Sequence, residues 1–175
     1  MTYFLEKFYF KTVKYKLINK FIYKKVKKLL ILKKIVLNFG SKTNNIKKLF
    51  SGLLALELIA NQKGILTTGS IVGLKMHKKN PVGCKLSVKK KNLFKFFTSI
   101  IFQISVPLKN ISNLSLIHSI KKNAVSFKIY NVFNFFELEK HYFFFNKLSE
   151  LNFTLIVNTD KKKIFIFFGK LLQLL

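Results

Sequence analysis

A chain of 175 residues with 33 basic side chains against six acids carries a net charge of +27, which it cannot neutralise internally. Such an excess points to a polyanionic partner, nucleic acid or an anionic membrane surface. The single cysteine, Cys84, excludes an internal disulfide and cysteine-rich metal sites.

Every basic residue is Lys, with no Arg and no Trp, beside 21 Phe. This bias has the look of coding in an AT-rich genome and predicts an organelle-encoded protein. Hydrophobic residues make up 50% of the chain, and a chain of this length buries roughly 70% of its unfolded surface. We therefore expect a basic N-terminal helix over 1–28 and a single α+β domain over 29–175.

In chain order, Thr2 to about Lys28 reads as a basic amphipathic helix. It holds no Arg and no Ser, so it is expected to be a retained helix, not a transit peptide. Leu32 to Phe39 alternates, with Ile35, Leu37 and Phe39 on one side and Lys34, Val36 and Asn38 on the other, which predicts a strand. Ile46, Leu49, Phe50, Leu53 and Leu56 recur at helical spacing and predict a helix over 43–60.

Residues 62–88 predict a β-hairpin with a basic connecting loop. In its second strand Val82, Cys84, Leu86 and Val88 face one way, and Lys85, Ser87 and Lys89 the other. Leu93, Phe97, Ile100, Ile101 and Ile104 form one stripe of a core-facing helix over 91–106, stopped by Pro107. A loop is expected over 109–123. Val125, Phe127 and Ile129 mark one further strand, and Phe153, Leu155 and Val157 another. In the tail, Ile164 to Phe168 favours a strand by composition, whereas Gly169 to Leu175 looks helical.

The window 96–120 is the strongest membrane candidate. Its longest charge-free stretch, Phe96 to Leu108, falls short of the ~18 residues a spanning helix needs, so no membrane span is predicted.

Several predicted strands share one geometry: an apolar face and a face of Lys, Asn, Ser and Thr. An antiparallel sheet can carry helices on one side and leave the other open. The open side would display Lys34, Asn38, Lys85, Ser87, Lys89, Ser126, Lys128, Asn152 and Thr154. Taken alone, Lys85, Ser87 and Lys89 fit an ordinary solvated strand face as well as an RNA contact.

Other residues have plainer readings. Cys84 shares the apolar face and reads as a small core residue. His77 lies among lysines without partners for proton transfer or metal binding, and reads as a phosphate-facing loop residue. Glu137 and Glu139 read as a solvated pair. Gly64, Gly69 and Gly73 do not form a phosphate loop, because no Gly-Lys-Ser/Thr follows. The run Tyr142 to Phe145 could stack on bases, but core packing is the expected use. Six scattered acids and three isolated histidines offer no catalytic or metal-binding constellation, and no cofactor is expected.

Lys34-Ile35-Val36-Leu37-Asn38-Phe39-Gly40 resembles the first-strand motif of ribosomal protein five of the large subunit, the 5S rRNA-binding family of the central protuberance. Further blocks fit in order. These are Phe21 to Val26, Glu57-Leu58-Ile59-Ala60-Asn61-Gln62-Lys63, Ser70 to Lys75, and Pro81-Val82-Gly83-Cys84-Lys85-Leu86-Ser87. Fainter similarity runs through Phe136-Glu137-Leu138 and Phe153 to Val157.

The resemblance implies an α+β fold, an antiparallel sheet with helices on one face and an open polar RNA-binding face. It implies 5S rRNA recognition by Asn38, Gln62 and Ser87, the last standing where the family has Thr and keeping its hydroxyl. Lys34, Lys63, Lys85 and Lys89 would contact phosphates. The family's hairpin loop reaches the peptidyl-site tRNA, which would make Lys75, His77, Lys78 and Lys79 tRNA-facing. The chain is shorter than the family between Thr67 and Ser70.

The expected function is a structural, non-enzymatic constituent of the large subunit of a mitochondrial ribosome in the matrix. Its expected partners are 5S rRNA, large-subunit rRNA, peptidyl-site tRNA and neighbouring ribosomal proteins of both subunits. The competing class is a basic membrane-surface protein, favoured by the positive mean hydropathy and the aromatic content.

Overall fold

The computed structural model describes residues 4–23, 29–40, 46–68, 81–89, 91–100, 119–120, 123–158, 163–164 and 167. Its strands are β1 (Leu32–Gly40), β2 (Ile65–Thr68), β3 (Pro81–Lys89), β4 (Ser119–Ile120), β5 (Ala124–Ile129) and β6 (Leu151–Val157). They form a six-stranded sheet in the order β2-β3-β1-β6-β5-β4. The fold is α+β, as expected. The chain divides into two compact units, one of residues 1–35, 88–127 and 154–175, the other of residues 36–87 and 128–153.

In the first unit the N-terminal segment is α1 (Phe4–Phe8), a π-helical turn (Tyr9–Val13) and α2 (Lys14–Lys20). Tyr9, Val13 and Leu17 are buried, each four residues after the last, while Lys11 and Lys16 between them are exposed and Lys14 is half-buried. The helix expected to reach Lys28 stops earlier, and residues 24–28 lie outside the described residues. It ends at Lys20, and Phe21 is extended at φ −124° and ψ 128°. A tertiary contact sits at this end: the Phe21 ring meets Phe167 edge-on at 5.7 Å, and Lys20 Nζ lies 4.0 Å over the same ring.

The Tyr9 hydroxyl donates to the Leu30 carbonyl. Asn158 clamps the entry to β1, accepting from Ile31 N at 2.7 Å and donating to Leu29 O at 2.7 Å. The next helix, α3 (Ile46–Ala60), belongs to the second unit. α4 (Lys91–Ile100) packs on α1 and buries Leu93, Phe96, Phe97 and Ile100, an i, i+3, i+4, i+7 spacing that makes one helical face. Its predicted stop at Pro107 lies outside the described residues.

Within the segment expected to be a loop, Ser119 pairs with Ser126 and Ile120 with Val125, so β4 and β5 are antiparallel neighbours. A two-residue strand carries too little periodicity to be seen in sequence. Lys163, Ile164 and Phe167 are helical, against the strand that composition favours at 164–168. β-propensity reflects packing on a pleated surface more than backbone preference, and packing decides otherwise here.

In the second unit α3 (Ile46–Ala60) is the principal helix. Its buried line is Leu49, Gly52, Ala55, Leu56 and Ile59, whereas Ile46 and Phe50 are 62% and 57% exposed. The helix is as expected, but its inner face is marked by its smallest residues and not only its bulkiest. A Cβ on Gly52 would lie 3.3 Å from Cys84 Sγ and 3.6 Å from Phe39 Cβ, so the missing side chain is what lets α3 approach β1 and β3. Asn61, at φ 50°, ends the helix in the left-handed conformation that asparagine tolerates. Glu57 Oε1 then accepts from Gly64 N at 2.9 Å and ties the helix end to the start of β2.

Two short helices, α5 (Phe136–Glu139) and α6 (Tyr142–Phe145), pack on α3 through Leu138 and Phe145. The expectation that Tyr142 to Phe145 fill the core holds for Phe145 alone. Tyr142, Phe143 and Phe144 are 53%, 89% and 74% exposed. Successive residues of one helical turn point about 100° apart, so a four-residue helix lying on α3 cannot turn all four inward.

Candidate nucleic-acid interface

Strand β3 sorts its side chains as its alternation predicts. Cys84, Leu86 and Val88 are buried, Lys85, Ser87 and Lys89 are exposed, and Val82 is half-buried. The Cys84 thiol donates to Leu49 O at 3.0 Å, and burial pushes its pKa up from 9.0, the opposite of what a nucleophilic thiolate requires. Cys84 is a core residue.

Strand β1, the neighbour of β3, places Val36 and Asn38 half-buried between the buried Ile35, Leu37 and Phe39. β2 pairs antiparallel with β3, setting Ile65 opposite Lys85 and Thr67 opposite Gly83, with a register shift between Thr67 and Thr68.

Gly83 is the pivot of this surface. A Cβ there would stand 2.8 Å from Phe39 O, 3.0 Å from Thr67 Oγ1 and 3.7 Å from Asn38 Oδ1. Its bare backbone lets β1 and β2 close on β3 and leaves a notch on the side of the sheet that carries Lys85 and Ser87. Asn38 Oδ1 lies in that notch, buried and without a hydrogen-bond partner. Buried carbonyl oxygens of amide side chains are nearly always paired, so an orphaned acceptor on the face that carries Lys85 and Ser87 stands out among the polar atoms of this surface.

Elsewhere the polar strand faces satisfy themselves. Ser126 Oγ and Thr154 Oγ1 are 3.1 Å apart in the first unit, and in the second Lys128 Nζ lies 3.1 Å from Glu150 Oε2.

Of the predicted site residues, Asn38, Gln62, Lys63, Lys85 and Ser87 all fall in the second unit. Gln62 is half-buried and Lys63 exposed, both in the turn between α3 and β2. Lys34, half-buried, and Lys89, exposed, belong to the first unit. Lys75, His77, Lys78 and Lys79 lie outside the described residues. Thr67 and Gly83 were not anticipated as site residues. The available signal was the glycine inside an alternating strand, which marks close approach of another backbone.

Among the described residues no three His, Cys, Asp or Glu side chains gather where they could hold a metal ion. No helix among them is long and apolar enough to cross a membrane.

No family model matches the chain. Individual proteins do. It is 26% identical over 163 residues to large ribosomal subunit protein uL5m of Reclinomonas americana, covering 91% of this chain and 90% of that protein. It is 31% identical over 164 residues to uL5c of Chara vulgaris, covering 88% of this chain and 82% of that protein. It is 36% identical over 107 residues to uL5 of Clostridium beijerinckii, covering 59% of each. A relationship at this identity, running through most of both chains and shared by mitochondrial, chloroplast and bacterial proteins, rests on the whole fold and not on one motif. The chain belongs to the uL5 family of large ribosomal subunit proteins.

Proposed function

We propose that the protein is a non-enzymatic structural constituent of the large subunit of an organellar ribosome. It binds 5S rRNA and large-subunit rRNA through the open face of its sheet. Lysines set affinity by neutralising phosphates, a term that is strong and sequence-independent. Asn38, Gln62 and Ser87 add hydrogen bonds at fixed positions, which read the shape of a folded RNA.

One observation carries this reading: Asn38 Oδ1, an acceptor left unpaired in the notch that Gly83 opens. A ribose 2′-hydroxyl or a base amino group is a donor of the right kind, and phosphate, which only accepts, is not. Asn38 would therefore supply discrimination, and the lysines around it affinity. Approach of the hairpin tip, with Lys75, His77, Lys78 and Lys79, to peptidyl-site tRNA belongs to the same reading and rests on family likeness.

The test is Asn38→Ala in the full chain, titrated with 5S-like rRNA, with an unrelated RNA of equal length and with anionic vesicles. The expected result is a roughly tenfold weaker affinity for the 5S-like RNA, from loss of about one hydrogen bond to a site group, with the unrelated RNA and the melting temperature unchanged. Equal loss on both RNAs would make Asn38 merely structural. Vesicle binding without retention of structured RNA would replace the ribosomal reading by the membrane-surface one.

A further inference from the structure

A second concave site lies in the same unit, at the end of β1 away from its entry. A cleft of about 800 Å³ is lined by Lys48 of α3, Lys128 of β5, Lys147, Ser149 and Glu150 of the segment before β6, and Tyr130 just after β5. Its size falls within the span of about 300–1,000 Å³ typical of sites for small organic groups. Three lysines face one carboxylate. That carboxylate, Glu150, is engaged with Lys128 at 3.1 Å, so the positive charges of Lys48 and Lys147 are left over. Ser149 is held at the rim by its bond to Gly40 O at 2.9 Å. Tyr130 is 60% exposed and offers a free aromatic face beside the cations.

Cations with an aromatic face in a cleft of nucleotide size suit one chemistry. The cations take phosphodiester oxygens, and the ring stacks an unpaired base. Duplex RNA offers no such base at its surface, whereas a bulged, looped or terminal nucleotide does. We propose that this cleft receives an unstacked nucleotide of an RNA strand, with Tyr130 stacking its base and Lys48 and Lys147 holding the flanking phosphates. The inference rests on the reading that the chain binds RNA, and adds to it a site separate from the Asn38 notch and a preference for single-stranded elements.

The experiment uses the full chain with fluorescein-labelled hexauridylate in a salt series, and with the same oligomer carrying 5-iodouridine for near-ultraviolet cross-linking. Cross-linking is expected at Tyr130. Tyr130→Ala should weaken binding about tenfold, consistent with loss of one base stack, and leave the salt slope unchanged. Lys48→Ala with Lys147→Ala should weaken binding and lower the logarithmic salt slope by about 1.4, two single-strand phosphate contacts at about 0.7 each.

The control is Lys11→Ala with Lys95→Ala, both exposed and both in the other unit. If that control matches the cleft pair, or if the cross-link maps elsewhere, the lysines act only through the overall field and the cleft site is overturned. If the cleft variants behave as expected but 5S-like RNA is not preferred over unrelated RNA, it is the ribosomal reading that fails. If Asn38→Ala discriminates as expected while the cleft variants do nothing, only the cleft fails.

Discussion

Replacing Gly83 by alanine tests the packing that builds the Asn38 notch. The added methyl group would sit 2.8 Å from Phe39 O and 3.0 Å from Thr67 Oγ1. The first obstacle is backbone, so it cannot rotate away; β1 and β3 would have to separate where they pair. Overpacking of this kind costs about 1–3 kcal/mol. Removing a glycine returns about 0.5–1 kcal/mol by narrowing the unfolded ensemble. The net loss should be about 1–2 kcal/mol, which for a chain of this length lowers the melting temperature by about 3–6 °C.

The matched control is Gly40→Ala, where nothing lies within 4 Å of the new Cβ. That change should be neutral or slightly stabilising. The assay is thermal melting followed by circular dichroism at fixed salt and protein concentration, paired with titration of 5S-like RNA. Gly83→Ala should also weaken RNA binding, because the same methyl lies 3.7 Å from Asn38 Oδ1 and any strand separation moves that amide. A Gly83→Ala protein that melts with the wild type and with Gly40→Ala would refute the close approach of the three strands.

Three further outcomes are expected. Asn158→Ala removes the bonds to Ile31 N and Leu29 O and should cost about 2 kcal/mol in urea denaturation, at about 1 kcal/mol per bond; a loss near zero would mean that water replaces both. Tyr9 has its pKa pushed up from 10.0 to about 12, by burial first and then by Tyr23. Because the folded value is the higher one, its contribution to stability is complete below pH 10 and lost as pH rises towards 12. Tyr9→Phe should therefore show a shallower fall in stability across that window, and an unchanged slope would place the alkaline sensitivity elsewhere. Glu150→Gln breaks the contact with Lys128, whose partners are 28% and 46% exposed, so urea denaturation should register less than about 1 kcal/mol; a larger loss would mean that the pair supports the fold.

Most strands were legible because alternation is a local signal. The buried sets Ile35-Leu37-Phe39, Val125-Phe127-Ile129 and Phe153-Leu155-Val157 follow directly from period two. Helix existence was equally legible at α3 and α4. The inner face of α3 was not, since Ile46 and Phe50 advertise hydrophobicity while the contact line runs through Gly52 and Ala55. The end of the N-terminal helix at Lys20 coincides with a contact to Phe167, some 150 residues further along, which no local pattern encodes.

Charge, the α+β class and the likeness to the uL5 family are properties of residue identity and order, so the sequence alone determined them. It also marked Asn38, Lys85 and Ser87 as polar positions on alternating strands. What it could not determine was which of those polar atoms other protein groups already satisfy. Only the tertiary structure decided that Ser126 and Thr154 occupy each other, that Lys128 is engaged by Glu150, and that Asn38 Oδ1 is left over beside a glycine. Hydrogen bonding between strands distant in sequence is a matter of register and distance, and these exist only once the sheet has formed.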